Sequence, residues 1–335
     1  MFRIDLGLKF GSNEIIVYKK GCGIVAKEPA YLAVTTNGKS IKVHAIGKKA
    51  EKLFNSKSTN YQVYRPIENG EIVNEKMAKL LLGKIVENVV EGNSFITNVY
   101  ALVAVPSALN EKQLLLIKKV LHESGVNKVE FVFNSVCVQS NLDFDSHSHV
   151  MVVDIGKNIT DISVLNEYNF CFGRMYFLGG EDMDKSIVTF VADNFGLNIS
   201  KQTAESIKNE VASLYNRDMY SYDFVGTNEN GNLARASITA NDVRLAISNV
   251  YDAIFERIDE ILKSLPAEVA NDVYNTGIVF VGGGSKIAGL YEYAKKKLDF
   301  PVIVSDQPED AVVLGLGKLL CGDKEFLKQK VWFVF

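Results

Sequence analysis

Along the chain, apolar and polar positions switch between a two-residue and a 3.6-residue period, and the switches mark out elements. Phe2 to Phe10 and Glu14 to Tyr18 flank a Gly11-Ser12-Asn13 turn, which predicts a hairpin. Val150 to Val153 is an apolar strand, Gly156 to Asn158 a turn, and Asp161 to Leu165 an alternating strand, so the same plan recurs. Two hairpins of one design suggest a duplicated architecture, each half built round a mixed sheet. Glu28 to Val34 enters a strand and Ser40 to Ile46 is another. Residues 31 to 67 are polar and lysine-rich with no long amphipathic helix, which predicts a small inserted subdomain. Helical spacing returns from Glu75 to Glu91, with Met77, Leu80, Leu81, Ile85 and Val89 on one face. Tyr100 to Val105 is a buried strand stopped by Pro106. Asn110 and Gln113 form a capping box for a helix running to Ser124 and ended by Gly125. Lys128 to Phe133 reads as a strand and Asn134 to Leu142 as a helix.

Beyond the second hairpin, Gly179-Gly180 opens a helix from Glu181 to Phe195, and Thr203 to Leu214 is a second helix. Residues 217 to 238 are polar strands and turns. Thr239 caps a long helix with a stripe of Val243, Ile247, Val250, Ile254 and Ile258. Gly277 to Val281 is a buried strand feeding Gly282-Gly283-Gly284.

Composition narrows the class. A chain of 335 residues with 47% apolar content suits two lobes with sizeable cores. A net charge of −3 gives no electrostatic footprint for nucleic acid. Cys22, Cys137, Cys171 and Cys321 are scattered, as expected of reduced thiols in the cytoplasm rather than a disulfide frame or zinc site. His147-Ser148-His149 could hold a metal but reads better as a polar turn. No apolar run reaches the roughly 18 residues of a membrane span, and the first residues have no signal-peptide shape.

The second hairpin carries candidate chemistry. In D-x-G-x-x-x-T-D, from Asp154 to Asp161, turn N–H groups can point at phosphate oxygens while the carboxylate holds a hydrated cation. Gly282-Gly283-Gly284 permits close backbone approach to a sugar or phosphate, or serves only a tight strand-to-helix turn.

The hairpin resembles the second phosphate hairpin of the actin, Hsp70 and sugar-kinase superfamily. Five further motifs follow in order: Gly21 to Pro29, Arg65 to Ile72, Val103 to Ser107, Thr203 to Lys208, and Leu265 to Asp272 running into Phe280 to Ser285. Together they resemble the bacterial actin MreB family over nearly the full chain. The resemblance implies an α/β, actin-like fold of two lobes and four subdomains with a nucleotide cleft between the lobes. It places the first lobe core at 1–30, 68–145 and 308–335, with 31–67 inserted. The second lobe core takes 146–180 and 239–307, with 181–238 inserted.

ATP or ADP is the implied cofactor. The carried-over nucleotide residues are Lys9, Gly11, Ser12 and Asn13 in the first hairpin, and Asp154, Gly156, Lys157, Asn158 and Thr160 in the second. Gly179, Gly180, Glu181, Glu205, Lys208, Gly282, Gly283, Gly284 and Lys286 complete the set, Asp154 reaching a metal through water.

Three departures fall on this chemistry. The family carries an Asp before its first turn, where an ungapped match places Lys9. A shifted match, placing Asp5 there, needs four extra residues before Tyr18. Lys157, Asn158 and Ile159 stand where relatives carry two more glycines and a second Thr. The family's catalytic I-E-E-P falls on Val132-Phe133-Asn134-Ser135, so neither acid is present. Hydrolysis needs a group that orients water and a metal that spreads phosphate charge. Phe133 cannot orient water, and Asn134 is a poor base. Asn134 and Asp161 are the nearby substitutes. Lys9 argues against Mg²⁺. Either Lys9 and Lys157 neutralise phosphates in its place, or Lys9 pairs with Asp154 and closes the site, or Lys157 is a solvated turn residue.

The expected function is an actin-like filament subunit at the inner face of the membrane, serving cell shape or motility. It would assemble with itself or with MreB paralogues, and would not be an efficient ATPase. The alternative is an active ATPase with a relocated water-positioning residue. A sugar-type kinase of the same superfold is a third class, with no sugar pocket legible. Phe95 and Ile96 at a loop tip, and Trp332, Phe333 and Phe335 in the tail, fit contact with a membrane surface or packing on the lobe. The expected location is cytoplasmic and membrane-associated.

Overall fold

A computed structural model describes residues 2–11, 14–38, 40–56, 60–90, 97–142, 148–166, 169–216 and 219–322. The chain divides into two compact units. The first is Met1–Asp145, Tyr168–Gly173 and Asp310–Phe335; the second is Ser146–Glu167 and Arg174–Glu309.

The first unit opens with β1 (Phe2–Phe10), β2 (Glu14–Lys19) and β3 (Gly23–Pro29). A smaller layer follows: β4 (Leu32–Asn37), β5 (Ser40–Ile46), α1 (Gly47–Asn55) and β6 (Gln62–Tyr64). The short α1 is an addition to the strands and turns read for this stretch. It shares a small core of Tyr31, Ala33 and Ala50 with the β5-β4-β6 sheet. A two-stranded link, β7 (Ile67–Glu68) and β8 (Glu71–Ile72), leads to α2 (Glu75–Val90), β9 (Thr97–Val105), α3 (Glu111–Glu123), β10 (Lys128–Phe133) and α4 (Asn134–Asn141). The main sheet runs β10-β9-β1-β2-β3, with β1, β9 and β10 parallel.

Only half of the expected capping box forms. Gln113 N–H donates to the Asn110 side chain, while the Gln113 side-chain Oε1 accepts from Ile72 N–H and so ties α3 to β8.

The second unit holds β11 (His149–Ile155), β12 (Thr160–Asn166), β13 (Asn169–Tyr176, its first residues grouping with the first unit), α5 (Gly180–Phe195) and α6 (Lys201–Val211). Then come β14 (Ser221–Thr227), β15 (Leu233–Thr239), α7 (Ala240–Ser264), α8 (Ala267–Thr276), β16 (Ile278–Val281), α9 (Leu290–Lys297) and β17 (Val302–Val304). Its sheet order is β13-β12-β11-β16-β17. α6 ends at Val211, three residues before the predicted end. α7 starts from a full box: Thr239 Oγ1 accepts from Asp242 N–H, and Asp242 accepts from Thr239 N–H. Its stripe of Val243, Ile247, Val250, Ile254 and Ile258 is buried, as the periodicity predicts.

The chain closes the first unit with α10 (Ala311–Cys321), which packs on α4 and β1. A Cβ at Gly315 would sit 1.8 Å from the Cys137 carbonyl oxygen, so glycine sets how closely α10 and α4 approach. Gly7 on β1 leaves room for Leu316 in the same way. Among the described residues no helix is long and apolar enough to cross a membrane. His147 lies outside them. His149 Nδ1 is 2.7 Å from Asp272 Oδ2 on α8, and no described group of His, Cys, Asp and Glu makes a metal cluster.

Candidate functional site

In the second unit the β11–β12 hairpin brings most of the predicted residues together. The antiparallel register pairs Asp154 with Asp161 and Ile155 with Thr160. Directly opposed side chains share a face, so two carboxylates, 9% and 4% exposed, lie side by side. That donor set fits a hydrated divalent cation. Thr160 Oγ1 donates to Leu178 O at 2.7 Å, which ties the return strand to the start of α5.

The turn's hydrogen bonds are largely committed within the protein. Gly156 N–H donates to Ile159 O. Gly180 N–H donates to Gly156 O at 3.0 Å and Glu181 N–H to Lys157 O at 2.6 Å. The first donors of α5, which a helix leaves without internal partners, are thereby satisfied by the turn. Gly179 is glycine for the same closeness: a Cβ there would meet Gly156 O at 2.7 Å. Asn158 Oδ1 is buried without a partner.

The charged residues also pair among themselves. Lys157 Nζ lies 2.8 Å from Glu205 Oε1, so this turn lysine reaches α6. Lys208 Nζ lies 2.6 Å from Asp184 Oδ1 and donates to Gly180 O at 2.9 Å, with Asp184 buried and Lys208 largely so. Glu181 binds Lys201, whose ammonium holds the Glu181 carboxyl below the usual carboxylate range. Lys286 lies 3.2 Å from Glu309, both half-exposed. Asp184 and Glu309 were not among the predicted residues, because their lysine partners lie more than twenty positions away.

At the glycine run, Gly282 has φ +85, and a Cβ there would fall 2.3 Å from Asp154 Oδ1. A Cβ at Gly284 would fall 2.3 Å from Ile155 Cγ2. Tyr251, buried on α7, donates to Gly284 O at 2.6 Å. These two glycines are therefore required by packing on β11, whereas a Cβ at Gly283 would meet only Glu309, at 3.5 Å. Next to the run, an open cavity of about 550 Å³ is bordered by Tyr215, Lys286, Tyr291, Ser305 and Asp306.

In the first unit, Lys9 alternates with buried Leu8 and Phe10, on the face of β1 that Gly7 presents to α10. It makes no ion pair or hydrogen bond within its unit among the described residues. Gly11 N–H closes its turn on Glu14 O; Ser12 and Asn13 lie outside the described residues. Phe133 stacks against Phe170 at 4.3 Å between ring centres. Asn134 and Ser135 are 8% and 3% exposed, and Asn134 Oδ1 and Ser135 Oγ have no partner. Phe95, Ile96, Trp332, Phe333 and Phe335 lie outside the described residues.

Comparison with known proteins follows the same lines. The family model for MreB/Mbl protein matches residues 3–328. Cell shape-determining protein Mbl of Bacillus subtilis is 26% identical over 335 residues, covering 99% of this chain and 100% of the relative. Cell shape-determining protein MreB of Escherichia coli is 27% identical over 327 residues, covering 96% and 94%. Among solved structures, MreB5 of Spiroplasma citri bound to ADP superposes with a TM-score of 0.87 at 22% identity over 98% of each chain. A MamK double helical filament gives 0.80 at 22% identity, covering 96% of this chain and 99% of the other.

Proposed function

Because the chain belongs to the MreB/Mbl family and has the actin-like fold of that family, we propose that it is a filament-forming cytoskeletal subunit supporting cell shape or motility, with ATP hydrolysis weak or absent. Relatives are named for cell-shape determination, and MamK, of the same fold, is solved as a double helical filament. Self-assembly, or copolymerisation with paralogues of the same family, is the corresponding partner reading. Attachment to the inner face of the membrane would run through Phe95–Ile96 or the aromatic tail. Residues 31–67 and 181–238 would act as inserted subdomains of the two lobes.

The start of α4 carries the reading on hydrolysis. Phe133 is packed on Phe170, and the next two residues bear an amide and a hydroxyl. None of the three can take a proton from water at neutral pH. ATP or ADP remains the proposed ligand. Asp154 and Asp161 are the carboxylates that would hold a divalent cation, which when bound would spread charge over the phosphates. Lys9, standing where the family resemblance expects an acid, is the reason Mg²⁺ is not taken as required. Glu205, Lys208 and Lys286 would have to exchange their present carboxylate partners to reach a base or ribose.

Sedimentation and electron microscopy of the purified chain with ATP, together with phosphate release, test the proposal. Filaments with little release support it. Turnover matching an efficient MreB would establish the active-ATPase alternative, and absence of polymer under all nucleotide conditions would remove the filament reading.

A further inference from the structure

Among the described residues, three ion pairs tie α6 to its neighbours in the second unit. Lys201 binds Glu181 and Lys208 binds Asp184, both joining α6 to α5. The third is of a different kind, since Lys157 stands in the β11–β12 turn and reaches Glu205 at 2.8 Å. The backbone of Lys157 is held in place. Its carbonyl oxygen accepts from Glu181 N–H, and a Cβ at Gly180 would come 3.7 Å from Lys157 Cα. The side chain is free to change partner. It is 31% exposed and Glu205 is 39% exposed, and a lysine ammonium is a point charge on a flexible stem.

This pair is coupled to the buried one beside it. Glu205 and Lys208 are an i, i+3 pair on α6 and so share a face. Burial raises the Asp184 carboxyl above its ordinary value and Lys208 opposes that; behind them Glu205 raises it and Lys157 lowers it. With Lys157 drawn away, Glu205 is left to repel Asp184 and to compete with it for Lys208. The hold of α6 on α5 then loosens with no change in the backbone of the turn. β14, on which α6 packs, would feel the same change.

The turn is also where a phosphate would sit, so one cation has two claimants, Glu205 at rest and the ligand when it arrives. We propose that the Lys157–Glu205 pair is an autoinhibitory latch, which holds α6 to the hairpin turn and opens when an anionic ligand takes Lys157. This rests on the proposal that a nucleotide binds at the turn, and adds to it a means by which occupancy of the turn is passed to α6.

Hydrogen–deuterium exchange of the full-length protein without ligand reads the latch, and stopped-flow binding of a fluorescent ADP reads its opening. Glu205→Gln and Lys157→Met should each raise exchange across Lys201–Val211 roughly two- to fivefold, the range of one partly exposed ion pair. Lys157→Glu combined with Glu205→Lys should return it to the wild-type rate. Glu205→Gln frees Lys157 for the ligand, so ADP should associate roughly two- to fivefold faster than with wild type. Lys157→Met also opens the latch but removes the cation that phosphate takes, so ADP should dissociate faster from it. The swapped pair, latched and with an acid on the turn, should take up ADP more slowly than wild type. Glu205→Gln keeps the shape of its side chain, so the test stands even if Lys157→Met folds poorly. Equal exchange in wild type and both single variants overturns the latch, as does ADP association in Glu205→Gln no faster than in wild type. Raised exchange with no ADP bound by any of the proteins removes the nucleotide reading itself, and the pair is then a structural contact only.

Discussion

Lys208 and Asp184 show how one residue's neighbours change its meaning. A lysine at the end of T-A-E-x-I-K invites a ligand contact, but here it is largely buried on Asp184 and the Gly180 carbonyl. Breaking one side of a buried pair leaves a charge uncompensated, so Lys208→Met should lower unfolding free energy by about 3–5 kcal/mol. Lys208→Met combined with Asp184→Leu should recover most of it; urea denaturation of the three proteins measures both. Cys137 offers a second check at this scale. Full burial pushes its thiol far above the ordinary range, while Cys22, Cys171 and Cys321 are exposed. Iodoacetamide followed by peptide mass analysis should label those three in the native protein and Cys137 only after unfolding.

Among the elements, periodicity told which segments form and left open what they pack against. β1, β2 and β10 emerged with nearly the predicted bounds because they are apolar runs, buried on both faces, cut off by turn residues, and α7 because it buries a single stripe. α10 escaped notice for the opposite reason: Ala311 to Leu320 is apolar on nearly every side, so no 3.6-residue contrast exists to detect. Its glycines are the test of its role. Gly315→Ala should cost about 1–3 kcal/mol or more by overpacking, because the new methyl would overlap the Cys137 carbonyl. A thermal melt reads this directly. The α5–α6 contact predicts a pH effect. Glu181's carboxyl is depressed by Lys201, so its stabilisation is complete above the ordinary carboxylate value and is lost as pH falls through the depressed one. Both side chains are partly exposed, which limits the size to about 1 kcal/mol or less. Lys201→Met should therefore flatten the fall in melting temperature between about pH 5 and pH 3.

For the molecule as a whole, the family and fold were legible because six motifs keep their order over the full length. The site was legible only as a set of positions. Lys157 and Glu205 were both named from sequence, but their mutual ion pair depends on the approach of α6 to the hairpin turn. Ser135 was legible only as the last residue of the stretch matched to I-E-E-P, since its unmet hydroxyl is visible only once its surroundings are packed. The charge substitution at Lys9 predicts a molecular property: ATP affinity should change less than about tenfold on Mg²⁺ removal, whereas Lys9→Asp should make binding metal-dependent. Fluorescent-nucleotide titrations with and without chelator measure it.

The bonds from Gly180 and Glu181 N–H to the hairpin carbonyls make these two amides a built-in spectroscopic gauge. Held by backbone rather than water, they should exchange with deuterium slowly in the isolated chain. A nucleotide that claims the N-terminus of α5 has to break those bonds first, and one that binds elsewhere leaves them shut. The exchange rate at these two positions therefore reports which way the protein receives its ligand, without any substitution being made.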